Sequence, residues 1–153
     1  MSDLLPSIPS ALRRPAKLSL ADWALLVQLS LFSLFVSVQL YDKPLPLIVD
    51  RLTRRAYQGN WLWVRKAAHD YEIHQLARLT NIAARFSLGV GHCLMRSLLL
   101  FWLLHTRGET VTLCLGVRKE HETLHGHAWI ETNEGMLADT AELAGQFVTV
   151  LRF

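Results

Sequence analysis

Apolar and polar positions divide the chain into a helical front and an extended rear. From Ala24 to Tyr41, ALLVQLSLFSLFVSVQLY, no charge appears, which predicts a helix over residues 20–41. Its polar residues do not gather on one side. Ser30, Ser33 and Ser37 share one flank, and Gln28 and Gln39 fall nearly opposite. The helix is therefore expected to be buried in the domain or against a partner protein. A membrane-associated helix is the alternative, because an uncharged run of this length approaches that of a span. Ser19 or Asp22 is placed to cap it, and Lys43-Pro44-Leu45-Pro46 to break it. Two more helices are expected. One runs over about residues 48–57 and stops at Gly59-Asn60. The other covers about residues 70–86, where Ile73, Leu76, Ala77, Leu79 and Ala83 recur at mixed three- and four-residue spacing.

A loop from Ser87 to His92 follows. From Cys93 to Thr106 nearly every position is apolar, which predicts a helix buried on most sides and stopped at Arg107-Gly108. The period then drops to two. Val111, Leu113, Leu115 and Val117 alternate with Thr112, Cys114 and Gly116, as in a strand. His125 to Thr132 is a second strand candidate, Asn133-Glu134-Gly135 a turn, Met136 to Asp139 a third strand and Gln146 to Phe153 a fourth. The class is α+β: N-terminal helices and a central Cys-bearing helix packed on a small antiparallel sheet. Residues 1–19, with Pro6, Pro9 and Pro15, form a flexible lead-in, and residues 20–153 a single domain whose core covers about 50–153.

Composition narrows the function classes. Half the residues (51%) are apolar, so the chain is not a disordered one. The formal charge of +3 comes without a dense Lys/Arg stripe, so no nucleic-acid partner is expected. Two cysteines do not make a disulfide framework, and neither belongs to a CxxC pair. The N-terminus lacks the pattern of a secretory signal. A reducing, cytoplasmic setting is expected, with no metal or cofactor; membrane contact through residues 24–41 stays open as the alternative.

The chemistry gathers at GVGHC, residues 89–93, where a loop becomes a helix. A helix N-terminus favours a thiolate, and its free N–H groups can hold an oxyanion. Cys93 is thus the candidate nucleophile. His127, in LHGHAWIE, is the candidate base on a strand, and Asp139, in MLADT, the carboxylate that orients it. A three-residue turn at Asn133-Glu134-Gly135 would set Trp129 opposite Asp139 and put residues 127, 129 and 139 on one face of the sheet; a two-residue turn would send Asp139 to the other face. His92 and Trp129 are the candidate substrate-binding positions, His92 beside the thiol and Trp129 as a wall that shields the His–Asp pair. Arg96 is expected to pair with an acid, and Cys114 to be core. His92, His121 and His125 compete as bases, and His121, His125 and His127 as a metal site.

In order, Cys93-Leu94-Met95-Arg96-Ser97-Leu98, Leu115-Gly116-Val117, His127-Ala128-Trp129-Ile130-Glu131 and Gly135…Asp139 resemble the transglutaminase-like cysteine peptidases of lasso-peptide biosynthesis, over about residues 50–150. The resemblance implies a papain-like or transglutaminase-like core and a Cys93–His127–Asp139 triad. It implies removal of a leader peptide from a ribosomally made lasso precursor, typically just after a leader residue preceded by a threonine. The implied partners are the precursor, a separate leader-recognition protein, since the chain looks short for a fused one, and an ATP-dependent cyclase that receives the core peptide. Members often carry a basic or small residue before the Cys, where this chain has His92. An acyltransferase on the same scaffold, or a non-catalytic membrane-associated subunit, are the rival readings.

Overall fold

The computed structural model describes residues 18–58, 62–137 and 139–153. The expected lead-in falls almost wholly on residues 1–17 and the Gly59-Asn60 stop on residues 59–60, both outside the described residues.

Helix α1, Leu20–Asp42, starts with a capping box. The Ser19 hydroxyl accepts from the Asp22 amide, and the Asp22 carboxylate accepts from the Ser19 amide. Tyr71 also donates to Asp22, which holds that carboxyl below its ordinary value. Helix α2 spans Leu45–Gln58, α3 Leu62–Asp70 and α4 Ile73–Ala83, followed by a 3-10 turn at Ala84–Phe86. The helix expected over about residues 70–86 is in fact two: Asp70 ends α3, and the chain breaks at Tyr71-Glu72 before α4.

Helix α5, His92–Arg107, is the hub of the domain. Met95, Leu99, Leu100, Leu103 and Leu104 are fully buried. Helices α1–α4 and strands β1 and β2 all pack against it. Gly108 ends it at φ 90, a left-handed position that a β-carbon would strain.

The sheet has four strands in the order β3-β2-β1-β4, antiparallel throughout. Strand β1 is Val111–Glu120, β2 Thr123–Thr132, β3 Gly135–Leu137 and β4 Val148–Arg152, with a short helix α6 at Ala141–Ala144. Leu113 and Ile130 face α5 and the main core, while Cys114, Trp129 and Ala144 form a small second core on the other face. The expected α+β architecture is the observed one.

Helix α1 is only half covered. Leu25, Leu29, Phe32 and Val36 are buried, and Phe32 stacks on Trp102 of α5 at 4.2 Å between centroids. Ser33 and Ser37 lie on this inward side, where the Ser37 hydroxyl donates to the Ser33 carbonyl and accepts from the Leu88 amide. The opposite side exposes Leu20, Trp23, Val27, Leu31, Phe35, Val38 and Tyr41 along the whole helix. The helix is long and apolar enough to cross a membrane by composition, as a buried core helix also can be.

Candidate active site

The thiol stands where α5 begins. Gly91 is the N-cap, and a glycine has no side chain to satisfy the first-turn amides. Gly89, at φ 67, turns the chain into the helix. Cys93 is the second helical residue, half-buried, with a free sulfur. Its neighbour His92 is exposed, and its Nε2 donates to the Asn81 carbonyl at 3.0 Å, tying the start of α5 to α4.

His127 sits in β2 beside two aromatic rings. The Trp129 ring stacks with the imidazole at 6.1 Å between centroids and the Phe147 ring at 5.1 Å. Gly116 is directly across in β1. A β-carbon there would stand 2.8 Å from Phe147 Cβ and 2.9 Å from the Trp129 ring, so this position has room only for glycine. Trp129 is 2% exposed and backs the imidazole from inside the small core. Its Nε1 donates to Glu131 at 2.9 Å, and Arg152 donates to the other oxygen at 2.7 Å. These contacts, the Trp129 bond foremost, hold the Glu131 carboxyl below its usual value.

Asp139 meets His127. The His127 Nε2 donates to Asp139 Oδ2 at 3.0 Å. The same oxygen accepts from Arg96 Nη2 at 2.6 Å, with both side chains of this ion pair largely buried. Arg96 lies one turn after Cys93 on α5. One residue on, the Ser97 hydroxyl donates to the carbonyl of Ala128, next to His127, at 3.0 Å. Helix α5 is therefore pinned at two points to the strand and loop that carry His127 and Asp139. Cys93 precedes Ser97 by four residues, a rise of about 6 Å along the axis.

The expected hairpin register is not the observed one. Thr132 pairs with Gly135 and Ile130 with Leu137, so the turn is the two-residue Asn133-Glu134. Thr132 Oγ1 closes it by donating to the Gly135 carbonyl and accepting from the Glu134 amide. By parity, Asp139 then belongs to the α5 side with Leu137, and His127 to the other side with Trp129. The hydrogen bond forms because β3 ends at Leu137, which leaves the β2 edge open beside His127.

Cys114 is completely buried in the small core, and burial pushes its thiol up to about 11. His121, at φ 55, forms the β1–β2 turn, and the exposed His125 contacts Thr123. Among the described residues no three His, Cys, Asp or Glu side chains gather as a metal site. A cavity of about 500 Å³ lies at the other end of α5, between Leu104, Gly108 and the β2–β3 hairpin, away from the Cys93 end.

Phe147 and Ser97 carried no sequence signal for their places here. Phe147 lies in the tail that was read only as strand, and the serine of CLMRSL gives no hint of a strand partner in an otherwise apolar helix.

Comparison with known proteins rests on one result. The family model of the Transglutaminase-like superfamily matches residues 45–152. Its members include cysteine proteases and acyltransferases and are often cysteine-dependent enzymes. No curated protein and no solved structure matches the chain. The match takes in α2 to β4, with Cys93, His127 and Asp139 inside it, and on that extent the chain belongs to the Transglutaminase-like superfamily.

Proposed function

We propose that this protein is a cysteine peptidase that removes the leader from a ribosomally made lasso precursor, with Cys93 as nucleophile, His127 as base and Asp139 as orienting carboxylate. The observation that carries the reading is the His127–Asp139 hydrogen bond at 3.0 Å, anchored through Arg96 to the helix that bears Cys93. The lasso assignment itself rests on the CLMRSL and HAWIE motifs.

With Nε2 donating to Asp139, the neutral imidazole keeps Nδ1 as its basic nitrogen. In the proposed cycle Nδ1 takes the thiol proton as Cys93 Sγ attacks the carbonyl at the leader–core junction. The Cys93 amide donates to the oxyanion. Collapse breaks the C–N bond, and the core amine leaves with the proton from His127. Water, deprotonated by His127, then hydrolyses the leader thioester and frees Cys93. Stacking against Trp129 and Phe147 restrains the imidazole plane, and His92 borders the thiol where the leader would lie. A separate recognition protein presents the leader, and an ATP-dependent cyclase takes the released core.

The test is a cleavage assay on the precursor peptide, with the recognition protein present, read by mass spectrometry. Hydrolysis gives a leader fragment with a free carboxylate, and Cys93→Ala abolishes it with an unchanged far-UV CD spectrum. Cleavage that persists in that variant would remove the reading. A leader fragment joined to an added amine would replace hydrolysis with acyl transfer.

A further inference from the structure

We infer that Arg96 is a positioning residue of this site: it holds Asp139 so that His127 keeps its proton on Nε2 and offers Nδ1 to the thiol. The inference rests on the triad reading above and adds a fourth residue to it.

Three observations carry it. First, Arg96 and His127 share one acceptor. Both donate to Asp139 Oδ2, Arg96 at the shorter distance. Second, the register of the hairpin does not deliver Asp139 to His127. Among the described residues the β2–β3 pairing ends at Leu137, so the Asp139 carboxylate is placed by its contacts and not by that ladder. Arg96, projecting from a rigid buried helix, is the contact that can fix it. Third, the arrangement is largely sealed. The Arg96 and Asp139 side chains are 14% and 6% exposed, and Arg96 Nε has no hydrogen-bond partner among the described residues. A guanidinium that gives up one donor to burial is placed for its Nη2 contact.

The consequence is geometric. Cys93 and Arg96 lie one turn apart on a single helix, so the nucleophile and the anchor of the base's partner move as one body. A shift of α5 relative to β2 would displace thiol and carboxylate together. Without the guanidinium, Oδ2 has only the imidazole to hold it, the carboxylate can turn away, and the ring is free to take either tautomer.

The tautomer and the thiol can be read without knowing the peptide substrate. Nitrogen-15 NMR of labelled histidine gives the His127 tautomer, and alkylation by iodoacetamide, followed by mass spectrometry, gives the Cys93 rate. Wild type should show the Nε2–H tautomer and a Cys93 rate well above that of His127→Ala. Arg96→Ala should show mixed tautomers and a rate lower by about tenfold or more. Millimolar guanidinium should restore both, which a merely structural loss would not allow. Arg96→Lys keeps a cation against the buried carboxylate but is one atom shorter, so it should fold and still show mixed tautomers and slower alkylation; it carries the test should Arg96→Ala not fold. A folded Arg96 variant with the wild-type tautomer and rate overturns the inference and leaves the triad standing. A wild-type Cys93 no faster than in His127→Ala overturns the triad, and the inference with it.

Discussion

His127 and Asp139 meet at 3.0 Å although the pairing of their hairpin assigns them to opposite faces of the sheet. The contact wraps the open edge of β2, just beyond the last β3 pair at Ile130 and Leu137. A short edge strand therefore serves the site better than a long one. Two more paired residues of β3 would have set Asp139 opposite Ala128, on the other face of the sheet from His127.

Because Asp139 also closes a buried ion pair, its removal should cost more than catalysis. Asp139→Ala leaves the Arg96 guanidinium buried without its carboxylate, which should lower unfolding stability by about 3 kcal/mol. Cys93→Ala, at a half-buried helix start, should cost far less. Urea denaturation of the two variants measures the difference, and equal losses would contradict the buried pair.

Gly116→Ala should harm both the fold and the imidazole. The added carbon overlaps Phe147 and Trp129, the two rings that stack with His127. Overpacking of this kind costs about 1–3 kcal/mol. The indole fluorescence of Trp129 should shift in the folded variant, and an unchanged melting temperature would mean that the rings are looser than they stand.

Alkaline pH should weaken the small core. The Cys114 thiol ionises near 9 when unfolded and is pushed up to about 11 in the fold. Its contribution is therefore complete below about 9 and is lost as the pH rises towards 11. Cys114→Ala should flatten that part of the stability profile. Melting temperatures followed from neutral pH to above 10 give the comparison.

The two sides of α1 should respond differently to truncation. Leu29 is fully buried and Leu31 is 62% exposed. Leu29→Ala should cost about 3 kcal/mol, and Leu31→Ala less than about 0.5 kcal/mol. Equal costs would mean that the outer side of α1 is covered in the isolated protein.

Much of this fold was legible because the signals were strong. Helix α5 carries an apolar run from Leu98 to Leu104 and ends at a glycine that takes a left-handed turn. Strand β1 was legible from the period-two alternation of its apolar residues, although both of its faces are covered, at Leu113 and at Cys114. Cys93, His127 and Asp139 could be picked out because thiol, imidazole and carboxylate stood at a helix start, in a strand and after a turn. Helix α3 was missed because it buries little: Val64 and Ala68, four residues apart, are its buried apolar side chains among those described. The β2–β3 turn was misjudged because Asn-Glu-Gly suits a loop of two residues or of three, and only the Thr132–Gly135 pairing decides. For α1, composition showed an apolar helix but not which side faces in. That side proved to be the one with Ser33 and Ser37; the Ser37 hydroxyl is satisfied by the Ser33 carbonyl and the Leu88 amide, and the Ser33 hydroxyl is buried without a hydrogen-bond partner among the described residues.

The most direct test of the central claim compares the two cysteines of one chain. Iodoacetamide is added to the native protein at neutral pH, and modification at Cys93 and Cys114 is followed by peptide mass spectrometry in wild type and His127→Ala. The account predicts rapid labelling of Cys93, little at the buried Cys114, and a loss of about tenfold or more at Cys93 when the imidazole is removed. Labelling of Cys93 at the same rate with and without His127 would contradict it.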